Sequence, residues 1–136
     1  ELPALWAQWK DELARLDAAA DLDGLERAAA QARKAYDQAA RELTKARKDA
    51  APRLAQAVTQ AMQQLGMAGG RFEVSLVPHD APQAHGVESV EFLVAGHAGS
   101  TPRPLAKVAS GGELSRIALA IAVTTSQLGE AGTLIF

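Results

Sequence analysis

Apolar positions between residues 22 and 50 fall at Leu22, Leu25, Ala29, Ala32, Tyr36, Ala39, Leu43, Ala46 and Ala50, in steps that alternate three and four. A heptad seam of this kind predicts a helix built to lie along another helix, although one helix of an ordinary bundle would show the same stripe. Alanine at many seam positions permits close approach, which favours an antiparallel partner over the bulkier seam of a parallel leucine zipper. Between the seam positions stand Arg27, Arg33, Lys34, Arg41, Lys45, Arg47 and Lys48 with Asp37, Glu42 and Asp49, a mixed-sign face that reads as solvated. Contact with nucleic acid through Arg33, Lys34, Arg47 or Lys48 is the less favoured reading, because acids interleave with them.

Upstream, Leu2, Leu5, Trp6, Trp9, Leu13 and Leu16 outline a separate amphipathic helix entered through Pro3. A helix break is expected near residues 17–23, with Asp21 or Asp23 capping the restart and Gly24 in its first turn. Pro52 lacks an amide donor and predicts a kink or a restart there. Leu54, Ala57, Val58, Ala61, Met62 and Leu65 carry the stripe to Gly66, a natural stop. Residues 1–65 therefore read as a helical arm and residues 66–136 as a second domain.

The period changes after Gly66. Arg71–Val77 and Val87–Val94 alternate, placing Phe72, Val74 and Leu76 on one strand face and Val90, Phe92 and Val94 on the other strand's. Pro78–Gly86 between them, with two prolines, predicts a long exposed hairpin loop. A second loop, Gly96–Pro104, leads to Ser110-Gly111-Gly112-Glu113, which has the spacing of a capping box: Ser110 accepts from a first-turn N–H, and Glu113 reaches back to the Ser110 N–H. The helix this opens should run to about Leu128, be buried on most sides and end at Gly129, before a buried strand at Thr133–Phe136.

Composition sharpens the division. Of 30 alanines in the 136 residues, 20 precede position 71, and aromatics are only 4%, so the first half makes a long helix with a thin seam. Net charge is −2, which supplies no global basic field for nucleic acid, and the absence of cysteine excludes disulfides and thiolate metal sites. No apolar run is long enough for a membrane span, and no signal peptide is evident, so a cytoplasmic protein without membrane partners is expected. His79, His85 and His97 fall in expected loops without a carboxylate cluster, and no metal site is expected among them.

Two glycines opening a helix are costly and need a reason. Close approach of an anion to the backbone amides is one; a tight turn requiring unusual φ angles, with no ligand, is the other. The wider string Lys107-Val-Ala-Ser-Gly-Gly-Glu-Leu-Ser-Arg-Ile-Ala-Leu-Ala120 resembles the signature motif of ABC-type ATPases and, within that class, the RecN family of SMC-related DNA repair proteins. Leu65-Gly-Met67 followed by Phe72-Glu-Val74 is similar to the place in that family where a returning coiled-coil helix enters the ATPase head, and Thr133–Phe136 looks like the strand leading to the Walker B acids. Glu113 and Ala109 depart from the Gln and Leu common in transporters. The resemblance implies an α+β fragment: a long antiparallel coiled-coil arm joined to part of the C-terminal lobe of an ABC/SMC-type α/β ATPase head.

The same resemblance implies that Ser110, Gly111, Gly112 and Glu113 meet the γ-phosphate of ATP held by a second head, with Arg116 and Lys107 as supporting residues; for Arg116 a surface pairing with Glu113 is equally open. ATP and Mg²⁺ would be bound mainly by other parts of the protein, because the chain contains no G-x-x-x-x-G-K-[ST] and no Asp-Glu pair after Phe136. No catalytic residue is assigned within the chain. Implied partners are the N-terminal lobe of the same protein, a second head in a homodimer, and DNA in the bacterial nucleoid, for double-strand break repair and recombination. Another SMC-like chromosome-maintenance ATPase and a non-catalytic coiled-coil adaptor are the alternatives. The isolated 136-residue chain is expected neither to fold completely nor to hydrolyse ATP, and measurable turnover by the purified chain would contradict this.

Overall fold

The computed structural model describes residues 2–108 and 110–127. It is an α+β arrangement: helix α1 (Leu2–Gln64), strands β1 (Arg71–Gln83), β2 (Gly86–Ala95) and β3 (Arg103–Pro104), a 3₁₀ turn (Leu105–Lys107) and helix α2 (Gly111–Ser126). Two compact units are present, one ending at Arg41 and the next beginning at Glu42, so the boundary falls inside α1 and not at its end.

Helix α1 is continuous where a break was expected. Residues 17–23 carry three alanines and no proline, and Asp23, instead of capping a new helix, pairs with Arg27 one turn later, across Gly24. A single glycine costs about 1 kcal/mol, too little to interrupt a helix already nucleated on both sides. Arg33 and Asp37 form a second i,i+4 pair at 3.0 Å. In this first unit Trp6, Trp9, Leu13, Leu16, Leu22 and Leu25 are all exposed.

Nor does Pro52 restart the helix. In the second unit the turns on both sides of it are held by other elements. On its N-terminal side, Thr44 Oγ1 donates to Glu88 Oε2 at 2.7 Å, and Arg47 Nη1 donates to Glu88 Oε1 at 2.9 Å. Arg47 also donates to the carbonyl oxygen of His85 at 2.8 Å. On its C-terminal side, Val58 and Met62 are fully buried in a core with Met67, Phe72, Val94, Ile117 and Ala120. Anchoring on both sides offsets the one backbone bond that proline removes.

The stop at Gly66 is the expected one. Gly66 adopts φ of 81°, and the Met67 N–H returns to the Met62 carbonyl at 3.1 Å, closing the last turn. Polar side chains of α1 then take over the backbone that follows. Gln63 accepts from the Gly69 N–H at 2.8 Å and donates to the Gly70 carbonyl at 2.7 Å. Thr59 Oγ1 accepts from the Phe72 N–H at 2.9 Å and donates to its carbonyl at 3.3 Å. These bonds fix where β1 begins relative to the helix.

The three-stranded antiparallel sheet has the order β1-β2-β3. Register pairs Phe72 with Val94, Val74 with Phe92 and Leu76 with Val90, so the alternating apolar sets meet on one face. The hairpin is tighter than expected. Instead of a nine-residue loop, β1 runs on to Gln83 and pairs with Gly86 across a two-residue turn, with pairing lapsing between Pro78 and Gln83. Pro78 and Pro82 are accommodated because β1 is an edge strand and needs no donors on its outer side. Gly86 supplies φ of 115°, and the absence of its Cβ leaves room for Arg47 Nη1, which would lie 3.0 Å from such an atom.

Arg47 thus belongs to a half-buried clasp and not to the solvated face assigned to it from charge alternation. Glu88 is buried, and its carboxylate is held below the ordinary glutamate range by the Thr44 hydroxyl first and the Arg47 guanidinium second. A depressed native-state pKa adds stability that is present above the unfolded-state value and lost as pH falls through the native one. Glu88→Gln should therefore lower the melting temperature at neutral pH, and the gap from wild type should close as pH drops below the ordinary glutamate range. A gap that stays constant from neutral to strongly acidic pH would contradict the ionised clasp.

Candidate nucleotide-facing turn

Helix α2 is positioned from one side. Ile117, Ala120 and Thr124 are its buried residues, a stripe at helical spacing against the core formed by α1 and the sheet. Burial on most sides was expected from its composition. Instead, Leu114 and Val123 are each 40% exposed, because the described elements cover a single face. The described helix ends at Ser126 with Gln127 as C-cap, and the expected stop at Gly129 and strand at Thr133–Phe136 lie outside the described residues.

At the other end of α2, Ser110 is the N-cap. Its Oγ accepts from the Glu113 N–H at 3.3 Å, and its carbonyl accepts from the Leu114 N–H at 2.9 Å. The Gly111 and Gly112 amides precede the first intrahelical bond and have no acceptor within the helix. Ser110, Gly111, Gly112 and Arg116 are exposed, as is Lys107 at the end of the 3₁₀ turn. The turn therefore presents two backbone donors and a hydroxyl at the positive end of a 16-residue helix.

The glycine pair has no use within the described chain. Neither Gly111 nor Gly112 has positive φ, since among the described residues only Gly66, Gly69, Gly86 and Gly99 do. Among the described residues, a Cβ on Gly111 would meet nothing within 4 Å, and one on Gly112 would meet only Arg116 Nη2 at 3.7 Å, an ordinary contact. The two reasons for a tight glycine turn, strained backbone and internal crowding, are both absent here.

Glu113 behaves differently from the capping-box expectation. Its amide donates to Ser110 as expected, but its carboxylate lies against Gly96. A Cβ at Gly96 would fall 1.6 Å from Glu113 Oε1, so the side chain occupies the space a larger residue would need. Gly96, His97, Ser100, Thr101, Arg103 and Glu113 line an open cleft of 330 Å³ there. The loop's own turn is closed by Ser100, whose hydroxyl donates to the His97 carbonyl at 2.7 Å. Half-buried Glu113 is thus turned toward the loop, and Arg116 leans over Gly112.

Sequence reasoning brought Ser110, Gly111 and Gly112 to one exposed turn but missed Gly96, which stands 17 positions before Glu113 and reads locally as one more loop glycine. Nothing in the local spacing signals that contact. Among the described residues no group of three or more His, Cys, Asp or Glu could hold a metal ion, and no helix is long and apolar enough to cross a membrane.

Comparison with known proteins gives the wider context. No family model matches the chain. Among curated proteins, it is 41% identical over 103 residues to the DNA repair protein RecN of Xylella fastidiosa strain Temecula1, covering 74% of this chain and 18% of the relative. It is 44% identical over 110 residues to the protein of the same name from Haemophilus influenzae, covering 78% and 20%. The alignment with DNA repair protein RecN of Mycobacterium tuberculosis strain H37Rv extends over 150 residues at 38% identity, covering 93% and 26%. The chain spans about a fifth to a quarter of the length of these relatives.

Gly96→Ala should displace the Glu113 side chain and cost about 1 kcal/mol, at the lower end for overpacking because a flexible carboxylate can yield. The cost should vanish in a Glu113→Ala background. A double-mutant cycle by denaturant melts measures the coupling, and additive effects would contradict the contact.

Proposed function

Because the chain belongs to the RecN family, we propose that it forms part of an SMC-related ATPase that acts in DNA double-strand break repair and recombination. The observation that carries this reading is the glycine pair at the start of α2. Two glycines sacrifice helix stability at positions where the described chain exploits neither their φ freedom nor their missing Cβ atoms. An external group that must approach the backbone accounts for them, and exposed amides at a helix N-terminus suit an anion.

In this reading Ser110, Gly111 and Gly112 meet the γ-phosphate of an ATP bound to a second head. The Gly111 and Gly112 amides would donate to phosphate oxygens, and Ser110 would both cap the helix and offer its hydroxyl. Glu113 contributes its backbone and, through its carboxylate on Gly96, the placement of the turn. Its charge is drawn toward the loop, which suits an anion at the helix end. Arg116 and Lys107 are exposed cations that would add to the positive field around it.

A few donors on one surface cannot hold a nucleotide tightly. The phosphate loop, its lysine and Mg²⁺ would come from the N-terminal lobe of the same protein, completing each site only when two heads of a homodimer close on ATP. Mg²⁺ would neutralise the phosphate charge there, while the turn described here supplies oriented amides. Exposed apolar residues along the first unit of α1 support a further element of the proposal, an antiparallel coiled-coil partner for the arm. Head closure would then be coupled to engagement of DNA in the bacterial nucleoid.

Substitution in the intact protein tests this. Ser110→Arg and Gly112→Asp should leave nucleotide binding to a single head within about twofold of wild type, while abolishing ATP-dependent head pairing and turnover. Gly112→Ala should raise thermal stability slightly, since a Cβ fits there, with roughly 0.4–1 kcal/mol as the ordinary gain, yet reduce turnover. Turnover unchanged in all three variants would remove the role in trans and favour a structural adaptor.

A further inference from the structure

Between the end of α1 and the first turn of α2 the chain meets itself at Gly69, Gly70 and Gly96, and at each the room for a side chain is already taken. At Gly69, which has φ of 77°, a Cβ would come within 2.6 Å of Ala98 Cβ. At Gly70 it would stand 2.9 Å from the Met67 carbonyl oxygen, 3.0 Å from that of Ala95 and 3.1 Å from that of Gly96. These are backbone atoms, which cannot swing aside as the tip of a side chain can. At Gly96 the space is filled by the Glu113 carboxylate. Gly96 is therefore held between the turn that ends α1 and the residue whose N–H donates to the Ser110 cap.

Each piece is stiffened by its own hydrogen bonds. Gln63, in the last turn of α1, accepts from the Gly69 N–H at 2.8 Å and donates to the Gly70 carbonyl at 2.7 Å. The Gly70 N–H donates to the Met67 carbonyl at 3.0 Å. In the facing loop, the Ser100 N–H donates to the His97 carbonyl at 3.2 Å. The Ser100 hydroxyl donates to the same carbonyl at 2.7 Å and accepts from the His97 N–H at 3.3 Å. Close-packed pieces of this kind pass a displacement on, because none has slack to absorb it.

We propose that Gln63, Gly70 and Gly96 couple the last turn of α1 to the Ser110–Gly112 turn, so that a shift at the end of α1 moves the two outward amides. A shift toward the loop presses Gly96 against Glu113; a shift away takes the seat of the Glu113 carboxylate with it. The three are positioning residues that act on the turn through Glu113. Donors that must meet phosphate oxygens at hydrogen-bond distance are weakened by a displacement of about 1 Å, so the coupling regulates how well the turn receives its anion. That consequence rests on the nucleotide reading, whereas the mechanical coupling does not.

Hydrogen–deuterium exchange of the intact protein, followed by mass spectrometry over residues 110–116, tests the coupling. Gln63→Ala removes both bonds to the 69–70 turn, and Gly70→Ala pushes on the Ala95 and Gly96 carbonyls. Each should raise exchange in that segment about threefold or more. Thr59→Ala removes a comparable pair of bonds, from α1 to Phe72, and should leave the segment as in wild type. Should Gly70→Ala fail to fold, Gln63→Ala carries the test alone, since Gln63 is exposed. An unchanged segment in Gln63→Ala, or an equal rise in Thr59→Ala, would overturn the coupling. In Gln63→Ala the ATP concentration for half-maximal head pairing should also rise about threefold, with nucleotide binding to a single head within about twofold of wild type. Raised exchange without that rise would uphold the coupling and count against the nucleotide reading.

Discussion

The seating of the last turns of α1 on the sheet governs the second unit. Val58 and Met62 enter a core completed by Phe72 and Val94 from the hairpin and by Ile117 and Ala120 from α2. Each partner is amphipathic and would expose its apolar face without the other two. Hydrophobic burial brings these faces together but is not directional. Alignment comes from polar side chains at the edge of the core: Thr59 and Gln63 occupy the backbone donors and acceptors of residues 69–72, so β1 starts in one place only. The position of α2, and hence of its exposed glycine turn, follows from that alignment.

A second tie between helix and sheet is electrostatic. Glu88 is buried and would be a liability alone, because a desolvated carboxylate without donors is strongly unfavourable. Thr44 and Arg47 satisfy both its oxygens from the same face of α1. Such a pair adds less net stability than its short distances suggest, since desolvation offsets the attraction. Its more distinctive contribution is registry: Arg47 also reaches the His85 carbonyl, so one guanidinium fixes both the start of β2 and the hairpin turn against the helix. The glycine at 86 is what leaves space for that guanidinium.

Two segments that precede α2 in sequence meet at its N-terminal turn. Ser110 caps the helix, and Gly96, having no Cβ, leaves room for the Glu113 carboxylate. Because Gly111 and Gly112 open the helix, their amides, at the positive end of the dipole, have no acceptor within it. The turn is thus ordered by contacts behind it while its front faces outward. Leu114 and Val123 lie on the exposed side of the same helix.

Local chemistry made several elements legible from sequence: helical stripes, the alternating strands with their shared apolar face, the stop at Gly66 and the cap at Ser110. Each depends on residues within a few positions of one another. The expected break at 17–23 failed because helix propagation is cheap once begun, so one glycine and three scattered aspartates did not outweigh the alanines around them. The restart at Pro52 failed for a reason no local rule contains, the anchoring of both flanking segments on other elements. The long loop at 78–86 became strand because proline is tolerated at a sheet edge, and edges are defined only once strands are ordered. Likewise Glu113 and Gly96, and Arg47 and Glu88, acquire their meanings from proximity that folding creates. Sequence alone determined which segments could be helix or strand and which turn was costly in glycine; tertiary structure decided which charges are buried, which glycines are crowded and which open outward, because desolvation and steric fit are properties of neighbours in space.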